Sequence, residues 1–405
     1  MRILTIVGAR PNFVKAAPLL EELGRHAGLE SILVHTGQHY DHEMSKVFFE
    51  ELRIIAPHIN LDVGSGTGVR QTAEIMLRLE PILEKTQPGI VVVVGDVNST
   101  LAAALTAAKM GLPLAHVEAG LRSFDRSMPE EANRILTDAL AGLLFASEPS
   151  AVENLRREGR PPEAIHLVGN VMIDALRRFL PEAKRSPLPA ELAVALADFR
   201  IDLTRPYGLV TLHRPATVDN DAILRSMGAA LEEIASELPL IFPVHPRTQS
   251  KWEKACIQRP GRCASRRLLL VPPLSYLSFL QLESAATLVI TDSGGVQEET
   301  TALGVPCLTV RENTERPVTL SEGTNVLVGL DGRRLVGEAR KVLRGGGKRG
   351  QVPKLWDGHA SERIVRVLTG QTGCGFKAGC MAQHADVVPK VTSRMPELKS
   401  PSWPL

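Results

Sequence analysis

Apolar runs in this chain end, one after another, on residues that bind anions or move protons. The run Ile3–Val7 leads through Gly8 to Arg10 and Lys15, two cations at the entrance of a helix. Cations beside free backbone N–H groups suit a phosphate or a carboxylate. The run Ile90–Gly95 stops at Asp96. The run Leu114–Glu118 ends on a carboxylate, with His116 before it and Arg122 after it. Strand alternation puts His116 and Glu118 on one face. In MPEEANRILTDAL the apolar positions Ile135, Leu136, Ala139 and Leu140, continued by Leu143, predict a core-facing stripe. At about 100° per residue, Glu130 falls opposite that stripe and into solvent. Glu131 and Asp138 fall along its edge, so Glu131 is the carboxylate expected to face a cleft. Plain alternatives exist at each position: solvated cations, a helix cap, or an ion pair between Glu118 and Arg122. Asn98 and Ser99 stand ready to cap the helix after Asp96, which leaves Asp96 for other chemistry.

The second half repeats the pattern. One run ends at His213-Arg214 and another at His245, with Arg247 beyond. A histidine there is a structural residue or an acid–base group that works near neutral pH. The segment TLVITDSGGVQEETTALGVP carries the most specific signal. A strand stops at Asp292, and Ser293-Gly294-Gly295 lets backbone approach a ligand closely. The helix that follows offers an N-terminus suited to a diphosphate. Glu298 and Glu299 sit one turn on, where a carboxylate can accept from ribose hydroxyls. The turn is neither a dinucleotide fingerprint nor a Walker loop, which disfavours NAD and ATP hydrolysis. Arg311, Glu315 and Arg316 lie in a loop just past the next apolar run and flank the same place, as anion-site groups or as an ordinary charged loop.

These residues need strand ends to hold them. Ile3–Val7, Ser31–Thr36, Ile90–Gly95, Leu114–Glu118 and Gly142–Ala146 read as strands, with helices Asn98–Lys109 and Pro129–Leu140 between them. Further on, Gly208–His213, Leu240–Val244, Leu268–Val271, Thr287–Thr291 and Pro306–Val310 alternate with helices Asn220–Ser236 and Tyr276–Ser284. This rhythm predicts an α/β protein of two doubly wound domains in series, with the boundary near Val168–Arg178 or Leu180–Pro189. Such sheets bind ligands beyond the carboxyl ends of their strands. A helix over Ala360–Leu368 ends the pattern. Residues 371–405 carry no periodicity and read as a disordered tail.

Composition narrows the function. Aromatic residues make up only 4% of the chain and the net charge is +2, which argues against nucleic acid as a partner. The cysteines, 256, 263, 307, 374 and 380, form no CxxC pair, so no structural metal is expected. The first residues read as a strand, not as a signal peptide, and no run reaches the roughly 18 apolar residues of a membrane span. A soluble, cytoplasmic protein is expected.

Taken in order, GARPNFVKAAPL, TGQHYD, VVGDVNST, HVEAGLRS, MPEEANR, LTDAL, VGNVMIDAL, TLHRP, PVHPRT, TDSGGVQEE, ALGVP, RENTERP and WDGHASERI resemble the non-hydrolysing UDP-N-acetylglucosamine 2-epimerases. The resemblance implies two Rossmann-like domains around a deep cleft, as in the B-type (GT-B) glycosyltransferases. It places an N-terminal domain at 1–170, a UDP-binding domain at 171–359, and a helix at 360–370 that returns to the first domain. It implies a homodimer without metal or redox cofactor. It implies elimination of UDP to a 2-acetamidoglucal and re-addition to the other face. Asp96, Glu118, Glu131 and His213 are then the catalytic set, with no assignment of which carboxylate takes the C2 proton. Arg10, Lys15, Arg134, Ser293, Gly294, Gly295, Glu299 and Arg316 bind substrate. Gln38, His39, Arg70, Gln71, Arg214 and His245 lie near an activator site for a second UDP-N-acetylglucosamine. The chain departs from many members at Pro215-Ala216-Thr217, where they read Arg-Glu-Asn, and related epimerases act on diacetamido uronic acid nucleotides. A glycosyltransferase of the same architecture is the other alternative. It would need an acceptor site and usually one base, whereas three carboxylates gather here in the first domain.

Overall fold

The computed structural model describes residues 1–37, 55–256 and 267–370. Two parallel sheets organise it. The first contains β1 (Arg2–Val7), β2 (Glu30–His35), β3 (Ile59–Asn60), β4 (Ile90–Val94), β5 (Leu114–Ala119), β6 (Leu143–Ala146) and β7 (Ile165–Leu167), in the order β3-β2-β1-β4-β5-β6-β7. The second contains β8 (Gly208–Thr211), β9 (Leu240–Pro243), β10 (Leu268–Val271), β11 (Leu288–Thr291), β12 (Cys307–Thr309) and β13 (Asn325–Leu327), in the order β10-β9-β8-β11-β12-β13. Every residue of IVVVV in β4 is buried, as a strand covered on both faces requires. The short strands β3, β7 and β13 carry no apolar run of their own, and the sequence pattern did not predict them. Each lies at a sheet edge, where pairing with a single neighbour defines it.

In both sheets the strand order reverses once. The reversal falls between β1 and β4 in the first and between β8 and β11 in the second. The register sets Ile6 beside Val93 and Thr211 beside Thr291, so the loops after each pair open side by side. Such a switch point is where an open α/β sheet holds its ligand. Gly8 is required at the first: a Cβ there would lie 1.9 Å from the Ser99 hydroxyl, so only glycine lets the helix Asn98–Lys109 approach the end of β1. Neither Asn98 nor Ser99 caps that helix. Ser99 bonds Thr36, and Asn98 donates to Gln71.

The helix Val171–Ala183 joins the halves. Its Met172, Ile173, Leu176 and Phe179 share one buried cluster with Phe13 and Val14 on one side and Tyr276, Leu277 and Leu280 on the other. Asn170 caps it by accepting from the Met172 N–H. Asp174 on the same helix accepts from the N–H groups of Ala360 and Ser361, so it caps the helix Ala360–Leu368. Just before that helix, Trp356 donates from Nε1 to the Ser147 carbonyl at the end of β6.

The helix Pro129–Leu140 is inverted relative to the sequence expectation. Its buried residues are Glu131, Asn133, Arg134, Thr137 and Asp138, while Leu136 and Ala139 are exposed. Glu130, expected in solvent, is half-buried. Strand-end partners across the sheet satisfy the buried polar face, and those partners decide the orientation against the apolar stripe.

Candidate active site

The ends of the two sheets enclose a cleft of about 410 Å³, within the range of small-molecule sites. Lys15, Asp96 and Glu130 line it from the first half, and His213, Arg214, Ser293, Gly294, Gly295, Glu299 and Arg316 from the second.

On the first side, Asn12 organises the turn after β1. Its carbonyl oxygen accepts from the Ala9 N–H at 3.3 Å, and its amide donates to the Val94 carbonyl at 2.8 Å. One turn on, Lys15 is buried and ion-paired with Glu118. Burial pulls the Lys15 ammonium down, but Glu118, with Glu298 and Asp96, outweighs that and holds it above its ordinary value. Glu118 sits at φ +72° beside a register shift between Val117 and Ala119. Positive φ for a residue with a side chain is uncommon and costs roughly 1–3 kcal/mol. Simple strand alternation therefore fails at Glu118, which turns to Lys15 and not to Arg122.

Arg134 bridges the other two candidate carboxylates. It pairs with Asp96 through Nη1 and with Glu131 through Nε at 3.0 Å. Asp96 keeps 29% of its side-chain surface and lines the cleft. Glu131 keeps almost none and accepts from the Ser123 N–H and hydroxyl at 3.0 Å and from the Phe124 N–H at 2.9 Å. Burial raises the Glu131 carboxyl, but the Ser123 N–H and Arg134 outweigh it and hold it below the usual range. Glu118, Glu131 and Arg134 thus stand behind the cleft wall, reaching it through Lys15 and Asp96.

On the second side, Asp292 is fully buried at the end of β11. It accepts from the backbone N–H groups of His213 at 3.0 Å and Arg214 at 2.9 Å. His213 Nδ1 lies 3.1 Å from the same carboxylate, which leaves Nε2 for the cleft. Burial pushes Asp292 up, and His213 and the two N–H groups pull it below its ordinary value. The helix Gly294–Leu303 starts here, and Ser293 at its N-cap makes no side-chain capping bond. Arg316 crosses that N-terminus, paired with Glu298 at 2.6 Å and Glu315 at 2.5 Å. A Cβ on Gly294 would lie 2.7 Å from the Arg316 guanidinium, so this glycine admits the cation. A helix N-terminus crossed by an arginine is a strong site for a diphosphate. Glu299, one turn on, is buried and accepts from the Tyr276 hydroxyl at 2.8 Å. Burial pushes its carboxyl up to about 8.

Of the described residues near the expected activator site, Arg214 alone lines the cleft. Gln71 is buried, donating to the Gly64 carbonyl at 3.1 Å. Arg70 and His245 are exposed. Gln38, His39 and the side chain of Arg10 lie outside the described residues. Asn12, Asn133 and Tyr276 escaped the sequence reading, because an amide or phenol inside a helix has no signal until its distant partner is known. Among the described residues no group of three or more His, Cys, Asp or Glu is placed to hold a metal ion. No described helix is long and apolar enough to cross a membrane.

The sequence profile of the family described as UDP-N-acetylglucosamine 2-epimerase matches residues 21–369. The UDP-N-acetylglucosamine 2-epimerase of Methanocaldococcus jannaschii is 40% identical over 371 residues, covering 91% of this chain and 99% of that protein. Its crystal structure in complex with UDP-GlcNAc and UDP superposes with a TM-score of 0.81, again covering 91% and 99%. The UDP-2,3-diacetamido-2,3-dideoxy-D-glucuronate 2-epimerase of Pseudomonas aeruginosa is also 40% identical, over 375 residues with the same coverage. With the family profile matching most of the chain and relatives 40% identical over 91% of it, the chain belongs to the UDP-N-acetylglucosamine 2-epimerase family.

Proposed function

We propose that this protein interconverts UDP-N-acetylglucosamine and UDP-N-acetylmannosamine without hydrolysis. The observation that carries the reading is the meeting of two switch points in one cleft: acid–base carboxylates come from the first sheet, and a diphosphate seat with a histidine comes from the second. In the forward half-step a base takes the C2 proton, the C2–H electrons form the C1–C2 double bond, and the C1–O bond breaks toward the diphosphate. In the return half-step the diphosphate oxygen adds to C1 and C2 is protonated on the opposite face. Both half-steps are proton transfers with exchange of one C–O bond, so there is no net redox change. Proton transfer to and from carbon needs acid–base groups on both faces. Asp96, Glu118 and Glu131 supply them, with Asp96 nearest the open cleft. His213, held by Asp292, works beside the leaving diphosphate. Ser293, Gly294, Gly295 and Arg316 seat the phosphates, Arg10, Lys15 and Arg134 balance their charge, and Glu299 accepts from the ribose. Leu274 and Phe279, which also line the cleft, supply an apolar wall for the base.

Residues 1–170 then act as the sugar half and 171–359 as the UDP half. Family resemblance supports a homodimer. Arg214, with Arg70, Gln71, His245, Gln38 and His39, is the candidate seat of an activating second nucleotide sugar. The reading places the enzyme in the cytoplasm, supplying surface polysaccharide synthesis. A second substrate, the diacetamido-glucuronate nucleotide, is favoured by the equal identity to the P. aeruginosa relative. Incubation in D₂O with each nucleotide sugar, followed by proton NMR at C2, decides. Loss of the C2 signal with a UDP-linked manno product supports the reading. Exchange with the diacetamido-glucuronate nucleotide alone transfers it to that substrate, and exchange with neither refutes it.

A further inference from the structure

Behind the cleft lies a buried polar cluster whose members do not line it and which the reaction scheme does not use. His116, in β5, and Asp138, in the helix Pro129–Leu140, are both fully buried. His116 Nδ1 lies 2.7 Å from Asp138 Oδ1, and Nε2 lies 2.8 Å from the Gly95 carbonyl oxygen. Asp138 Oδ2 accepts from the Gly120 N–H at 3.0 Å and pairs with Arg122 at 2.7 Å. Arg122 in turn bonds Glu158 through Nε at 2.8 Å.

Both ring nitrogens of His116 face oxygens. The Gly95 carbonyl only accepts, and Asp138 already takes two donors on its other oxygen. Nε2 therefore carries a hydrogen and donates to the Gly95 carbonyl, while Nδ1 faces Asp138. The two ends of the bridge matter. Gly95 directly precedes Asp96, and Gly120 follows Glu118 by two residues on the far side of the register shift. One carboxylate and one ring thus tie the end of β4 to the end of β5, where the two acid–base candidates project.

We propose that the His116–Asp138 bridge is a positioning device that fixes the separation of Asp96 and Glu118 through their backbones. The proposal rests on the reading of those two carboxylates as proton-transfer groups. It assigns the pair a function apart from stability: shifting a reacting group by about 1 Å costs on the order of 10²-fold in rate. The pair acts on turnover more than on UDP, because Ser293, Gly294, Gly295 and Arg316 of the second half seat the phosphates, while Lys15 and Arg134, paired with Glu118 and Asp96, only balance their charge.

His116→Asn separates the two ends of the bridge. Its amide nitrogen takes the place of Nδ1 and keeps a donor for Asp138, but nothing reaches the Gly95 carbonyl. The expected result is about 10²-fold slower C2 exchange, with a much smaller loss of UDP affinity by calorimetry. Exchange within threefold of the parent, or a matching loss of UDP affinity, overturns the proposal. Nitrogen-15 NMR of the histidine-labelled parent enzyme supplies a test that does not depend on the variant folding. A protonated Nε2 on the His116 ring supports the bridge, and a bare Nε2 overturns it. If the parent fails to exchange C2, the reading of the reaction falls, while the Nε2 signal still decides whether the bridge exists.

Discussion

Glu299 connects a buried carboxyl to nucleotide affinity, and pH is the perturbation that exposes it. Burial is the largest influence on this group and raises it. The Tyr276 hydroxyl and Lys15 pull it back, Glu298 adds to the rise, and the net value is about 8. A ribose diol donates its hydrogen bonds, so the bound form needs the carboxylate. At pH 7 about one molecule in eleven has Glu299 ionised, and at pH 9 about ten in eleven. Apparent affinity scales with the competent fraction. UDP should therefore bind about tenfold tighter at pH 9 than at pH 7, or about 1.4 kcal/mol. The terminal phosphate of UDP titrates near 6, below this window. Titration calorimetry at pH 7, 8 and 9 gives the trend. Repeating it in buffers of different ionisation enthalpy at pH 7 should show release of about 0.9 proton per UDP, the fraction that must ionise. Glu148, near 7, titrates in the same range, so the decisive quantity is the difference between parent and Glu299→Gln. A pH trend unchanged by that substitution would refute the reasoning, as would a flat parent.

Two further outcomes follow from buried carboxyls. Asp292→Asn replaces an acceptor with a group that can donate to His213 Nδ1, so the ring turns over its tautomer; steady-state kinetics should show kcat down by roughly 10²-fold or more and UDP affinity nearly kept, and unchanged kcat would remove His213 from the reaction. Glu283 is fully buried, neither of its carboxyl oxygens has a hydrogen-bond partner, and burial, with Glu299 beside it, holds its pKa well above the ordinary value. A carboxyl raised in the folded state binds a proton that the unfolded chain sheds near pH 4.5, so its contribution is whole below that pH and is lost as pH rises toward the folded value. Glu283→Met removes the penalty and should stabilise the protein by about 1–3 kcal/mol at pH 8, with a smaller gain at pH 5; thermal melting checks both the sign and the growth of the gap with pH.

The sequence legibly carried whatever depends on local pattern. Ile90–Val94 had to be a doubly covered strand, and Ser293–Gly295 had to open a helix onto a ligand. Positions decided by distant partners were not legible. The polar face of Pro129–Leu140 turns inward because Arg134 meets Asp96 and Asp138 meets His116, and no helical periodicity contains those pairings. Alternation placed His116 and Glu118 on one face, but it assumes uniform backbone angles, and Glu118 breaks that assumption at φ +72°. Capping preference named Asn98 and Ser99, yet tertiary bonds to Gln71 and Thr36 claimed both side chains.

Among the described residues, the cations at the cleft already have protein carboxylates as counter-ions: Lys15 has Glu118, Arg134 has Asp96 and Glu131, Arg214 has Glu315, and Arg316 has Glu298 and Glu315. A diphosphate entering this lattice competes for those cations. Whichever cation it draws away loses its hold on a carboxylate, and that carboxylate becomes a stronger base. Basicity is thus conditional on the substrate's own charge. The proton-abstracting power of the site rises only when the leaving group is seated, which guards a deep acid–base centre against idle protonation and side reactions with small molecules that lack a diphosphate.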